Sequence, residues 1–430
     1  FSAWVQALVG YLLDDKYYVI RLLPLVSLAT LLSIMIVWQQ RMFRKIDFDI
    51  YLKYVISFLA FPIFSIFFSI SFPDHLLITL LCLSSFCLFL YFERNNGGNG
   101  IHYWYLASLF FSFALLTKYN SILLGAGVLT YILYYKKHLN GPSYGNIIVS
   151  VFIIFLIQTP VVLWNITNDF ASFSFHLKER LDDGKDLTRV LKNLLGFFSG
   201  VLLAFSPIFI FNLKDSSIFD SYSNGKTNFI KMGRFVFVFS ITICTVLSYF
   251  TNVLYYWLTP AIILLIPFLN QIIKSKMWQY IHIFYGMLIS LVLFINISIF
   301  PIGTFFGKTD RETAILFGWD TIIENVGKEK NLRGIKKVVF SDYRIGSLYI
   351  FHSNDFNADV VMEERRTQFD LWREEENSFE KSTLIVADKD FPIGKKISSR
   401  FENIEFVRDI EIRKGNKLVR KYHVFLGTNT

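Results

Sequence analysis

The sequence predicts a multi-span α-helical membrane protein with a small soluble α/β or α+β domain at its C-terminus. Of the 430 residues, 53% are hydrophobic and only 18% are charged, which is more apolar surface than the core of a soluble protein could bury. Apolar runs close to the ~20 residues that cross a bilayer recur from about Val19 to about Phe300. The rest of the chain has a mixed, charged composition. We therefore expect a transmembrane domain over residues 1–300 and a soluble domain over residues 301–430.

The apolar runs predict about ten spans. The stretch 103–135 is too long for a single crossing and breaks at the polar residues 117–120. Pro73 and Asp74 separate two other spans in the same tight way. The expected spans cover residues 19–40, 50–72, 75–92, 103–117, 121–135, 146–164, 191–213, 234–250, 253–270 and 277–300.

Basic residues in the short loops predict the orientation of these spans. If the spans alternate, the loop cations all fall on one side, which the positive-inside rule identifies as the cytoplasm. The opposite, outer side receives the loop 165–190 and the soluble domain. Topology thus accounts for part of the formal net charge of +9, and we predict no nucleic-acid partner. The loop cations are Arg41, Arg44, Lys45, Lys136, Lys137, Lys214, Lys226, Lys231, Arg234, Lys274 and Lys276.

The soluble domain alternates β-like and helical runs. The runs "KKVVFSD", "STLIVADKD", "NIEFVRDIEI" and "YHVFLG" favour strands, and "ETAILFGWDTIIENVGK" and "FDLWREEENSF" favour helices. The three cysteines, Cys82, Cys87 and Cys244, lie inside apolar runs, where we expect small core residues rather than disulfides or metal ligands.

Two short outer turns carry charged residues. "SFPDHLL" places Asp74 at a helix start, and "LLTKYN" places Lys118, Tyr119 and Asn120 at a helix end. Asp74 could simply cap its helix, and Lys118 could snorkel or complement a helix C-terminus. A lysine could also bind an anionic lipid headgroup, and a nearby carboxylate could accept a proton from an attacking hydroxyl.

Further polar residues belong to two other outer segments. "VVLWNITNDFASFSFHLKER" carries Asn165, Asp169, His176 and Arg180. His176 and Arg180 are four residues apart and would share one helix face, although a solvated loop face is the default interpretation. "NVLYYWLTP" adds Tyr256, which an aromatic belt at the membrane interface would also explain.

These segments, taken in order, resemble the GT-C membrane glycosyltransferases. "SFPDHLL", "ALLTKYNSILLG", "TPVVLWNITNDFASFSFHLKER" and "NVLYYWLTP" are similar to bacterial relatives of the protein O-mannosyltransferases and of the aminoarabinose transferase of lipid A. "FGWDTIIENV", "VVFSDYRIGSLYIF" and "RRTQFDLW" resemble the soluble domain of one bacterial branch.

The resemblance implies a hexosyl- or pentosyltransferase in the bacterial inner membrane. Such an enzyme moves a sugar from a polyprenyl-phosphate donor to a lipid, glycan or protein acceptor at the outer face. It implies a catalytic role for Asp74 and a donor phosphate or sugar site at Lys118, His176 and Arg180. We also expect substrate contacts among nearby polar residues, namely Tyr119, Asn120, Asn165, Asp169 and Tyr256.

The resemblance also places part of the site outside this sequence. The family carries an Asp-Glu pair in its first outer loop, and "FSAWVQALVGYLLDDKYYVIRLLPL" resembles the segment that comes after that loop. We therefore expect the main catalytic acids upstream of Phe1. No metal-ligand cluster is legible, but an acidic pocket facing a phosphate leaves a divalent cation open as a cofactor.

Two other functions compete with the transferase. A lipid or sugar transporter would show charged residues in mid-span and inverted repeats, neither of which is clear here. A non-catalytic relative could scaffold envelope assembly, and the position of the expected acids before Phe1 keeps that alternative open.

Overall fold

The protein is described by a computed structural model that divides into two compact units, Phe1–Ser290 and Leu291–Thr430. The described residues are 1–13, 16–43, 47–94, 100–135, 141–174, 186–213, 224–307, 310–363, 366–373 and 381–429. Five of the cations that predicted the orientation lie outside these ranges: Arg44, Lys45, Lys136, Lys137 and Lys214.

The first unit is helical, and its last helix continues into the second unit. The helices are α1 (Ser2–Leu13), α2 (Lys16–Phe43), α3 (Phe48–Leu59), α4 (Pro62–Ser69), α5 (Asp74–Arg94), α6 (Ile101–Thr117), α7 (Ile122–Tyr134), α8 (Tyr144–Thr167), α9 (Ala171–Ser174), α10 (Leu187–Phe205), α11 (Pro207–Asn212), α12 (Asn224–Phe250), α13 (Thr259–Ile263), α14 (Leu269–Ile272) and α15 (Lys276–Phe294). Short 3₁₀ turns cover Tyr119–Ser121, Tyr255–Leu258 and Ile266–Phe268.

The described helices confirm a multi-pass membrane protein. Six are long and apolar enough to cross a bilayer: Tyr17–Met42, Asp74–Arg94, Tyr144–Thr167, Leu187–Phe205, Lys226–Phe250 and Lys276–Ile299. Two bent helix pairs raise this number to eight if each pair is one span. The segments predicted at 103–117 and 121–135 form shorter apolar helices, and the chain breaks between them at Lys118, as expected.

Two predicted spans are bent helix pairs in the structure. The segment 50–72 bends by 82° between α3 and α4, and the segment 253–270 bends by 72° before Ile266. Pro62 opens α4, and Phe61 before it is extended, with φ −75° and ψ 117°. Proline lacks the N–H that would continue the helix and pushes the preceding residue out of the α region. Pro267 lies in the second bend.

Side chains from neighbouring helices satisfy backbone carbonyls near these bends. Gln39 Nε2 donates to the carbonyl of Pro267 at 3.0 Å, and His282 Nε2 lies 2.9 Å from the carbonyl of Ser57. Both side chains are buried. Since hydrocarbon offers no hydrogen bonds, these contacts stabilise the bent helices.

The second unit contains a mixed five-stranded sheet with the strand order β2-β1-β3-β5-β4. Strand β1 is parallel to β2 and β3, and β5 is antiparallel to β3 and β4. The strands are β1 (Val338–Phe340), β2 (Ala358–Val360), β3 (Ser382–Asp388), β4 (Asn403–Lys414) and β5 (Lys417–Thr428). The helices are α16 (Arg311–Ala314), α17 (Trp319–Arg333), α18 (Tyr343–Ser353), α19 (Gln368–Trp372) and α20 (Lys395–Ser398). The four predicted β-like runs form strands; β2, at three residues, was not predicted.

Gly286 lies so close to the backbone of Ala60 that a side chain at this position would disturb the packing of the first unit. A Cβ added to Gly286 would lie 1.7 Å from the carbonyl oxygen of Ala60, whereas one added to Gly196 would meet nothing within 4 Å. Gly286→Ala should therefore lower the free energy of unfolding by about 3 kcal/mol, because the backbone of Ala60 must move. Gly196→Ala, the control, should be neutral or raise stability by about 0.5–1 kcal/mol. Thermal unfolding of both purified variants in detergent measures the difference, and equal midpoints would contradict this packing.

Candidate functional site

Two charged residues meet where helices α5 and α6 approach at one end. Helix α5 begins at Asp74, directly after Pro73. Helix α6 ends at Thr117, and Lys118 leaves the helix in an extended conformation with φ −160° and ψ 131°. The two helices pack against each other. The start of one and the end of the other therefore bring residues 44 positions apart into contact.

Lys118 and Asp74 form a partly buried ion pair. Lys118 Nζ donates to both carboxylate oxygens of Asp74, at 2.9 and 2.8 Å. The Asp74 side chain is fully buried, while that of Lys118 keeps 26% of its surface exposed. The acid thus lies buried against the ammonium group, while part of the Lys118 side chain remains accessible.

An aromatic ring flanks the same ammonium group. Lys118 Nζ lies 4.3 Å from the centre of the Tyr256 ring, within the range of a cation–π interaction. Tyr256 belongs to the 3₁₀ turn Tyr255–Leu258. Tyr255 in that turn fits against Gly200 of α10, where an added Cβ would lie 2.7 Å from its ring. The absence of a side chain at Gly200 therefore lets this turn approach α10 closely.

His75 anchors the start of α5 to a neighbouring helix. Its Nδ1 lies 2.8 Å from Ser27 Oγ of α2, and Thr79 Oγ1 donates to the carbonyl of Ser27 at 3.2 Å. The Nε2 atom of His75 is buried and has no hydrogen-bond partner among the described residues. Sequence analysis did not single out His75, because two residues 48 positions apart give no local signal of their pairing.

The turn after Lys118 is linked to the segment after α8. The side chains of Tyr119 and Ser172 lie close enough to interact, and the backbone N–H of Ser172 donates to Asn165 Oδ1 at 3.2 Å. Asn165 is fully buried and also donates through Nδ2 to the carbonyl of Val161 at 2.9 Å. Ser172, which sequence analysis missed, thus connects two of the predicted contact residues, Tyr119 and Asn165.

The other predicted residues occupy different settings. Both side-chain polar atoms of Asn120 are buried without a hydrogen-bond partner in the described part of the chain. Asp169 is exposed and has a positive φ of 54°. Among the described residues, it forms no hydrogen bond or ion pair with Lys118. His176 and Arg180 lie outside the described residues. Within the described ranges, no group of three or more His, Cys, Asp and Glu side chains is arranged to hold a metal ion.

Comparison with known proteins gives a family match and a fold match. The family model described as dolichyl-phosphate-mannose-protein mannosyltransferase matches residues 1–164. A crystal structure of ArnT from Cupriavidus metallidurans bound to undecaprenyl phosphate matches with a TM-score of 0.55 and 12% identity, over 99% of this chain and 87% of that chain. The apo structure of the same protein gives the same TM-score and identity, over 99% and 86%. The curated proteins gave no match. The predicted resemblance to GT-C glycosyltransferases and the predicted fold class are confirmed.

The ion pair between Lys118 and Asp74 predicts that loss of one charge destabilises the protein as long as the other charge remains. Lys118→Met should lower the free energy of unfolding by about 3 kcal/mol, because it leaves the buried Asp74 carboxylate without its cation. Adding Asp74→Asn should recover most of that loss, since the uncompensated charge disappears. Chemical denaturation of both single variants and the double variant tests this coupling. A Lys118→Met protein as stable as the wild type would show that the pair contributes nothing.

Proposed function

Because residues 1–164 match the dolichyl-phosphate-mannose-protein mannosyltransferase family and the whole chain has an ArnT-like fold, we propose that this protein is a membrane glycosyltransferase that uses a polyprenyl-phosphate sugar. The acceptor would receive the sugar at the outer face of a bacterial inner membrane, where the soluble domain would also lie. The observation that carries the proposal is the partly exposed side chain of Lys118, whose ammonium group is held by a buried carboxylate and an aromatic ring.

Lys118 is the proposed partner of the donor phosphate. A polyprenyl-phosphate sugar carries one negative charge on its phosphodiester, and the leaving phosphate gains a second charge as the glycosidic bond breaks. A fixed cation stabilises this developing charge more strongly than a mobile one, because it needs no reorganisation during the reaction. The two hydrogen bonds from Lys118 Nζ to Asp74 supply that fixation.

The contacts of Asp74 support a positioning role within this proposal. Both of its oxygens accept from Lys118, and its side chain is fully buried. Proton transfer needs a base within hydrogen-bond reach of the substrate, whereas an orienting acid needs only to hold its cation. The catalytic role predicted for Asp74 therefore stays a prediction.

The remaining predicted residues complete the proposed donor site. Asn120 lies two positions after Lys118, and a sugar hydroxyl could satisfy its buried amide atoms. Tyr119 and Asn165 would hold the turn and the segment after α8 together through Ser172. That segment leads toward His176 and Arg180, which we propose bind the leaving phosphate. Asp169 remains a proposed substrate contact.

Release of free polyprenyl phosphate from a panel of polyprenyl-phosphate sugars tests the function in the full-length protein. Lys118→Ala and Arg180→Ala should each lower turnover by about 10² or more, as expected when a group that stabilises developing charge is removed. Lys276→Ala is the matched control, because this lysine begins the last span on the predicted cytoplasmic side. Equal turnover in all variants, with intact folding, would refute the donor-site assignment.

The ring of Tyr256 gives a second test of the donor site. Tyr256→Phe keeps the ring over Lys118 and should leave the KM for the donor close to that of the wild type. Tyr256→Leu removes the ring and should raise this KM about 3- to 10-fold, in line with a partly desolvated cation–π interaction. Steady-state kinetics with varied donor concentration measure both values. Equal impairment of the two variants would show that the hydroxyl group, and not the ring, matters.

A further inference from the structure

The second unit contains the end of the last span, which fixes the depth of its first residues in the membrane. This span ends at Ile299, and its final residues, 291–299, belong to the second unit. Asn296 Nδ2 donates to Thr313 Oγ1 at 3.1 Å, and Asn296 Oδ1 accepts from the backbone N–H of Ile302 at 2.8 Å. Thr313 therefore lies beside the last turn of the span, at the level of the lipid headgroups. Phe305 and Phe306, which follow the span, also expose their rings.

Directly before Thr313, two arginines converge on one exposed carboxylate. Arg311 donates to Glu312 Oε1 through Nη2 at 2.9 Å and through Nε at 3.3 Å. Arg344 Nη1 donates to the same oxygen. Both guanidinium groups also lie over the ring of Phe391, at 4.8 and 5.1 Å from its centre. We call Arg311, Arg344 and Phe391 the arginine clamp.

A buried acid holds one arm of the clamp in place. Asp342, whose side chain is 1% exposed, accepts from Arg344 Nη2 at 2.7 Å and from Arg344 Nε at 3.1 Å. Burial alone would lower the pKa of Arg344, but the hydrogen bonds and charges of Asp342 and Glu312 outweigh it and raise the pKa above its ordinary value. Arg344 is thus a permanently charged, preorganised donor.

The position of the clamp in the sheet also favours ligand binding. Asp342 and Arg344 follow β1, and Phe391 follows β3. The chain passes from β1 to β2 on one side and then returns to β3 on the other. Ligands of α/β sheets bind outside the carboxyl ends of the strands at such a switch point. The clamp therefore occupies the expected place for a ligand, at a depth where phosphates are abundant.

We propose that the arginine clamp binds the phosphate of a membrane lipid and that Glu312 occupies it in the absence of that lipid. Planar guanidinium groups match phosphate oxygens in pairs. Glu312 is 59% exposed, and exposed ion pairs are weak and readily exchanged. When Glu312 leaves, Asp342 still compensates Arg344, so Arg311 supplies one net positive charge to the anion. This site is independent of the proposed donor site at Lys118.

Native mass spectrometry of the full-length protein in detergent, titrated with dioleoyl phosphatidic acid, tests the proposal. Glu312→Gln removes the competing carboxylate and should tighten lipid binding about fivefold, which is the upper range for an exposed ion pair. Arg311→Gln should weaken binding at least about tenfold, as expected for a lost charged hydrogen bond. Unchanged affinity in both variants would overturn the proposal.

The matched control is Glu411→Gln. Glu411 Oε2 accepts from Arg413 Nε at 3.0 Å and from Nη2 at 2.8 Å in another exposed pair of the same unit, so it changes the net charge equally. Tighter binding in Glu411→Gln as well would show a general charge effect and overturn the clamp. Inorganic phosphate provides the second arm of the test. If it displaces the lipid at equal concentration in the wild type, the clamp recognises free phosphate rather than a lipid headgroup.

Discussion

The first unit is organised by the rule that polar groups inside a bilayer must be satisfied by the protein itself. Where Pro62 and Pro267 interrupt helices, neighbouring carbonyls receive side chains from other helices, and Gln39 and His282 supply them. At both bends, a polar side chain from a neighbouring helix thus satisfies a backbone carbonyl that hydrocarbon could not.

Charged groups follow the same rule where helix α5 begins and helix α6 ends. Neither Asp74 nor Lys118 could be buried alone without a large desolvation cost. Paired, they hold one ammonium group in a fixed position on a side chain that stays partly accessible. At the break between α6 and α7, Lys118 leaves the helix in an extended conformation, and its side chain reaches the start of α5. The polar sequence "TKYN" thus has a structural role in forming the break between two helices. In the proposed function, its lysine also binds the donor phosphate.

Hydropathy alone predicted the membrane class, the break at Lys118 and four of the five strands. It did not predict the bends, because the run 50–72 is predominantly apolar on both sides of Pro62 and the effect of Pro62 is one of backbone geometry. Strand β2 has only one strongly β-favouring residue, because its three residues are Ala, Asp and Val, whereas the equally short β1 is the apolar run Val-Val-Phe. At the site, the sequence placed Asp74, Lys118 and Tyr256 on one side of the membrane. Their contacts, like that of His75 with Ser27, depend on packing between distant segments, which no local pattern encodes.

The two cation sites follow one design and differ in a single respect. In each, a buried carboxylate fixes a cation: Asp74 for Lys118 and Asp342 for Arg344. A buried acid stays in place when a ligand binds, so it orients the cation without blocking the ligand. Beside Arg344, however, an exposed second acid, Glu312, also occupies the cation. An anion can therefore approach Lys118 directly, whereas at the clamp it must first displace Glu312. We infer that the first site suits a reactant that turns over and the second a lipid that stays bound.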